Sequence, residues 1–385
     1  MPEVITPVAA KTDADDAAIA AGAAQAVAAK GSRPVIGRLY LEVRQSIPAW
    51  KHILFVSLSL LVGLVICVVV LAISGVDLSS VFEEFIIMTF FDSIGLANIL
   101  VQASPLVLVG LSAAIAFRVN FWNIGIEGQF FMGVVGATMI AFYNVGPADF
   151  RIYLMFVFAC IFGAAWTLAP VLLKVRLGVN EVITTLLLNY IAYYFVLNQI
   201  YGPWQDPVDR FSHTEKYDVV ERLPLLGWEQ VHAGLFFSIA AVALIWWLLE
   251  RSRFGLYARF VGANARMALA AGVPVVTVIV VSVLLSGALS GAAGYVMAAA
   301  QEFRMTPSMA AGYGFSGIVI AFLARNHPIG VLGVAFLMGG LYVAGQSIKV
   351  FYSLPAATVG LIQAIIVLSV TASDFFIRYR LHRAR

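Results

Sequence analysis

Charge is the first thing this chain lacks. Only 12% of its 385 residues are Asp, Glu, Lys or Arg, against about a quarter in ordinary soluble domains. Hydrophobic residues make up 61%, and the mean hydropathy is +0.92, which excludes a soluble globular protein of usual composition. Cysteine is nearly absent. Cys67 and Cys160 both lie inside apolar runs, so no disulfide or metal framework is expected. Five histidines, His52, His213, His232, His327 and His382, are scattered at run edges and in loops. They offer no zinc spacing, no serine triad and no Cys–His pair. A G-x-x-x-x-G-K-[ST] loop is missing, so the chain is not expected to bind ATP in that manner. No basic leader precedes a hydrophobic core, so a secretory signal is not expected. The net charge of +3 is small and points to no nucleic acid. Neither an enzymatic active site nor a cofactor is expected.

What the chain does contain is apolar runs of membrane-crossing length, recurring almost end to end. The fold class that follows is an all-α polytopic membrane protein of about ten transmembrane helices. The expected spans are 53–76, 94–117, a third ending at Phe142, 152–173, one opening at 178–181, 233–249, 275–300, 315–324, 329–345 and 355–371. Residues 1–50 read as a disordered, basic-ended cytoplasmic tail, 51–377 as the membrane domain, and 378–385 as a second basic cytoplasmic tail. Arg33, Arg38, Arg44 and Lys51 precede the first span, and Arg251, Arg253, Arg259 and Arg266 crowd one loop. The positive-inside bias therefore puts both termini in the cytoplasm. The long segment from Tyr201 to His232, rich in carboxylates, is expected outside.

Polar residues interrupt this pattern at few places. Asn123-Ile-Gly-Ile-Glu-Gly-Gln129 stands between two apolar runs. One reading buries Glu127 in the bundle interior, where the glycines let the backbone unwind beside a path. The other makes the stretch a tight cytoplasmic turn with Glu127 in water. Gly312, Gly314 and Gly317 spell G-x-G-x-x-G, but membrane runs flank them, so the dinucleotide reading is rejected. The two glycine-rich interruptions sit in oppositely directed halves, as an inverted repeat with broken helices requires. Gly287 and Gly291, extended by Ser282 and Ser286, make a small-residue packing face. In the basic loop 251–273, Asn264 can cap a short helix over 265–271 that stops at Gly272 before Pro274. A docking surface and an ordinary basic loop both fit that loop.

The ordered motifs Asn123–Gln129, Gly178–Ile191, Val261–Arg266, Gly312–Ile318 and Ala324–Gly330 resemble permease subunits of bacterial ABC importers. The type is that of ribose and branched-chain amino-acid systems. Within it the pattern is similar to the nucleoside branch, which is served by a basic-membrane-lipoprotein-like binding protein. The resemblance implies no enzyme but a transport subunit for a nucleoside-like solute, multi-pass in the bacterial inner membrane. It implies ABC ATPase subunits, a second and different permease chain, an extracytoplasmic binding protein or lipoprotein, and membrane lipid as partners. Asn123, Glu127, Gln129, Asn189 and Phe315 are expected along the substrate pathway. Arg259, Gly262, Asn264, Arg266 and Gly272 are expected in coupling to the ATPase. A sugar or riboflavin-like cargo is the alternative within the class. An ion-coupled secondary transporter is the alternative outside it, disfavoured by the scarcity of further intramembrane acids.

Overall fold

The computed structural model describes residues 34–36, 39–43, 48–76, 82–309 and 312–383. Most of the tail expected at 1–50 and the first external connection at 77–81 lie outside the described residues, and the described parts of that tail at 34–36 and 39–43 are strands.

Apolar runs with few backbone breakers give helices, because in lipid every backbone polar group must be satisfied within its own segment. The helices of six residues or more among the described residues are α1 Ala49–Ile73, α2 Ser93–Arg118, α3 Ile126–Phe142, α4 Ala148–Trp166, α5 Leu168–Leu177, α6 Glu181–Ile200 and α7 Gly234–Glu250. They continue with α8 Arg253–Ala263, α9 Ala265–Ala270, α10 Val275–Met297, α11 Tyr313–Leu323, α12 Pro328–Phe351 and α13 Ala356–Arg378. Each expected span therefore has a helix, α4 and α5 together serving the fourth. Among the described residues, five helical stretches are by length and hydropathy able to cross a membrane alone, or six when the bent α7–α8 pair counts as one. The expectation of about ten crossings is thus not reached on length. The shortfall has a physical cause at α3 and α11. The latter has 11 residues, about 17 Å of helix against a hydrocarbon core of about 30 Å.

The chain divides into two compact units. One comprises residues up to Ile66 and from Leu368 onward. It contains three short strands that were not legible in the sequence, Pro34–Ile36, Leu39–Val43 and Tyr379–Arg383. Leu39–Val43 pairs antiparallel with both others, with Leu41 opposite Leu381. The other unit, Cys67–Val367, holds the bundle.

At the centre of the bundle lies α2, which from Ala103 to Phe117 is buried on every side. It packs against α10, α11 and α12. Small residues allow the closest approaches. A Cβ on Gly291 would come within 2.1 Å of the Ala159 carbonyl oxygen, and one on Gly287 within 2.5 Å of that of Gly163. The small-residue face of α10 thus seats α4. On one side the segment 201–232 folds back on the bundle. Leu223 and Tyr217 donate backbone hydrogen bonds to the carbonyls of Ala299 and Phe303 at 2.9 and 2.8 Å. Arg151 of α4 pairs with Glu221 at 2.7 Å, both side chains under a tenth exposed.

Candidate functional site

The break between α2 and α3 does not stay at the Arg118 end of the bundle. It turns back along α2. Asn123 Nδ2 donates to Ser286 Oγ at 2.9 Å, and Ser286 pairs with Ser112 at 3.0 Å. Ser112 lies six residues before Arg118, about 9 Å along the helix. Farther up, Gly317 of α11 abuts the Val109 backbone, and Gly314, one turn earlier, abuts the Glu127 backbone. Glu127 therefore sits roughly 18 Å from Arg118, near the middle of the 39 Å or so that α2 spans. The stretch thus packs within the bundle, with Asn123 and Gln129 buried and Glu127 half-buried.

The polar groups of the break are nearly all bonded. Asn123 and Gln129 exchange hydrogen bonds, Nδ2 to Oε1 at 3.0 Å and Nε2 to Oδ1 at 2.8 Å. Asn123 Oδ1 also accepts from the Gly125 amide at 3.1 Å. From α6, Asn189 accepts from the Gly128 amide at 2.8 Å and donates to the Ile124 carbonyl at 2.9 Å. Thr185 accepts from the Ile124 amide at 3.2 Å. Ser290 of α10 donates to the Ile126 carbonyl at 2.6 Å. An unwound segment buried in the bundle needs such partners, because an unpaired buried backbone group costs about 1–3 kcal/mol. Ser290 extends the four-residue spacing of Ser282 and Ser286, a signal readable in the sequence.

Glu127 joins the two glycine-rich interruptions. Its Oε1 accepts from the Gly312 amide and its Oε2 from the Gly314 amide, each at 3.0 Å. The carboxylate caps the N-terminus of α11, where free N–H groups and the helix dipole favour negative charge. Gly312 has φ +87°, a left-handed conformation that favours glycine at this turn. From this meeting point α3 runs toward Asn144 and Arg151, and α11 runs toward Asn326 and Arg118. A column of rings stands beside it. Phe130 and Tyr313 stack with centroids 6.0 Å apart, and Tyr313 and Tyr342 at 5.6 Å. Tyr313 donates to Gln102, and Ser316 pairs with the Tyr342 hydroxyl at 2.9 Å. In the sequence Gln102 and Tyr342 look like ordinary span residues, and Tyr313 like one more residue of the glycine-rich interruption.

Of the expected pathway residues, Asn123, Glu127, Gln129 and Asn189 thus come together, three of them buried and Glu127 half-buried. Phe315 lies next to the Glu127 contacts, with its ring 48% exposed on the face of α11.

The basic loop forms two helices. Asn264 Oδ1 accepts from the amides of Arg266 and Met267 at 3.0 and 3.1 Å, capping α9. That helix ends one residue earlier than expected, followed by Gly272 at φ +79°. Arg266, Met267 and Leu269 are exposed on it, the last two by about two-thirds. Gly262 and Arg259 instead face the bundle side: Asn120 Nδ2 donates to the Gly262 carbonyl at 2.6 Å, and Arg259 pairs with Glu250 at 2.7 Å.

Among the described residues one group, Asp206, Asp209 and His213, brings three potential metal ligands together. His213 Nε2 lies 3.1 Å from Asp209 and 3.0 Å from the Arg304 guanidinium. A cation there would meet a fixed positive charge, so the donor set suits a hydrogen-bonded loop rather than an ion. Nearby, Tyr217 is buried against Thr138 at 2.6 Å, and burial pushes its phenol well above the usual range.

Comparison with known proteins agrees with this architecture. Residues 95–371 match the family described as branched-chain amino acid transport system / permease component. A glucose ABC transporter permease of Haloferax volcanii is 33% identical, over 89% of this chain and 93% of that one. A guanosine ABC transporter permease of Bacillus subtilis is 29% identical, over 86% and 95%. A nucleoside ABC transporter permease of Lactococcus lactis is 28% identical, over 68% and 74%. The same three organisms each supply a second matching permease.

Proposed function

Since this chain belongs to the permease family of branched-chain amino acid transport systems, we propose that it forms half of the membrane path of an ATP-driven importer for a nucleoside-like solute. It is a multi-pass transport subunit, not an enzyme. The family implies an ATPase and a substrate-binding protein as partners. In our reading the second permease is a different chain, as paired relatives in three organisms support. The membrane is the bacterial cell membrane, with both termini cytoplasmic and the 251–273 loop seated on the ATPase.

One observation supports the pathway assignment above others: a carboxylate, Glu127, held half-buried at mid-depth beside the stacked rings of Tyr313 and Tyr342. Acids at such depth face an interior or a water-filled path. Phe130 and Tyr313 are buried in the column, so the partly exposed ring of Tyr342 is the one at which a purine face would stack. Sugar import is the second reading, favoured by the 33% identity to the glucose permease.

The test is uptake by proteoliposomes holding both permeases, the ATPase and the binding protein. ATP-dependent accumulation of guanosine, uncompeted by excess glucose, is expected. The opposite competition order assigns the sugar. Gradient-driven uptake by this chain alone overturns the ABC assignment altogether. Orientation is checked by cysteines at Asp218→Cys and Arg253→Cys, both exposed positions. An impermeant thiol reagent is expected to reach the first from outside and not the second.

A further inference from the structure

Glu250 is the last residue of α7, and two arginines from different elements share its carboxylate. Oε1 pairs with Arg118 at the end of α2, and Oε2 pairs with Arg259 of α8 at 2.7 Å. Arg118 also donates to the Asn326 carbonyl at 3.4 Å, just beyond the end of α11. The Glu250 and Arg118 side chains are 23% and 17% exposed, while that of Arg259 is 48% exposed. The inner pair is thus shielded from much of the screening that weakens surface ion pairs.

A second tie runs parallel to the first. Asn120, in the left-handed region at φ +54°, donates to the Gly262 carbonyl. A Cβ on Gly262 would stand 2.2 Å from the Arg118 carbonyl oxygen, so only glycine lets α8 approach the end of α2 this closely. At the far end of α11 is the Glu127 carboxylate. The short helix is thus fastened at both ends, to the break by Glu127 and to the basic loop through Arg118 and Glu250.

We propose that Glu250 is a positioning residue for transport, locking the Arg259-bearing loop to α2 and α11 so that displacement of the loop reaches Glu127 through α11. The inference rests on the reading of 251–273 as the ATPase contact. Two guanidinium groups on one carboxylate move together, because parting from it leaves either arginine without its charge partner. A single rigid helix in a close-packed bundle then carries the shift instead of absorbing it.

The test uses the complete reconstituted complex and reads guanosine moved per ATP hydrolysed, a ratio that loss of folded protein does not change. Glu250→Gln is expected to lower the ratio roughly tenfold, the size of one charge-assisted hydrogen bond, and Glu250→Asp to recover most of it. Arg259→Gln, at a half-exposed side chain, is expected to lower it in the same direction and decides the matter if Glu250→Gln fails to accumulate. A second measurement needs no transported solute. With Cys67→Ala and Cys160→Ala as background, the thiol of Ser316→Cys on α11 is titrated with and without ATP and vanadate. Trapping is expected to change its reactivity in the parent and not with Glu250→Gln. If the parent moves no guanosine yet shows this difference, the solute reading fails and the role of Glu250 stands. Equal responses with and without Glu250, a parent with no response, or an unchanged transport ratio overturn the proposal.

Discussion

The side-chain amides of Asn123 and Gln129 face each other and exchange two hydrogen bonds, at 3.0 and 2.8 Å, across the first turn of α3. The pair is unequal. Asn123 also bonds Ser286 and the Gly125 amide, whereas among the described residues Gln129 bonds Asn123 alone.

This inequality gives an order of effects. Gln129→Ala leaves both polar atoms of Asn123 with a remaining partner. Asn123→Ala leaves the Gln129 amide and the Gly125 N–H unpaired in a dry interior. Each such group costs about 1–3 kcal/mol, so Asn123→Ala is expected to be the more destabilising by at least the cost of one of them. Thermal midpoints of the purified variants in detergent check the order; equal midpoints count against a buried pair.

Glu127 offers a contrast of charge against shape. Glu127→Gln keeps one acceptor for the two amides of Gly312 and Gly314 and turns an NH2 toward the other, a loss of about 1–3 kcal/mol. Glu127→Lys places a cation against the positive end of α11, where a dipole interaction changes sign. Uptake assays are expected to show reduced transport for the first and none for the second. Near-parental transport by both removes Glu127 from the path.

Gly314 and Gly333 separate close packing from mere helix propensity. A Cβ on Gly314 would lie 2.4 Å from the Glu127 backbone nitrogen, whereas one on Gly333 meets nothing within 4 Å. Gly314→Ala is expected to displace α11 from α3 and abolish transport. Gly333→Ala, in the middle of a helix, is expected to be neutral or to stabilise by about 0.5–1 kcal/mol. Thermal midpoint and uptake measured on both variants decide.

His232 sits 1% exposed before α7, its Nδ1 accepting from the Gly234 amide at 3.2 Å. Burial holds its imidazole down to about 4, from an ordinary value of 6.5. Between those values the unfolded chain takes up a proton that the folded chain refuses. Its contribution is therefore fully present above pH 6.5 and shrinks as pH falls toward 4, by up to roughly 3 kcal/mol. The thermal midpoint is expected to drop over that window, and His232→Asn, which retains an acceptor for Gly234, is expected to flatten the drop. A parallel slope in both proteins assigns the acid sensitivity elsewhere.

Local patterns carried much of the organisation. Apolar runs placed the helices, because a segment without polar backbone partners has to bond within itself. Asn264 and Gly272 marked the start and stop of α9, since capping and left-handed closure depend on neighbouring residues alone. Spacing of Gly287 and Gly291 marked a packing face, which one helical period suffices to reveal. The strand at Leu39–Val43 was missed, because its pairing with Tyr379–Arg383 joins opposite ends of the chain.

Taken by itself, the sequence determined that this is a helical membrane permease, where its helices fall, and that two glycine-rich interruptions break the pattern. Only the tertiary structure decided that these interruptions meet, with Glu127 on the amides of Gly312 and Gly314, 185 and 187 residues away. It alone placed Arg118 and Arg259 on Glu250. The reason is physical. Hydropathy and capping are set by neighbours along the chain, whereas a buried polar group finds its partner in whichever helix packs beside it, and no period in the sequence records that choice.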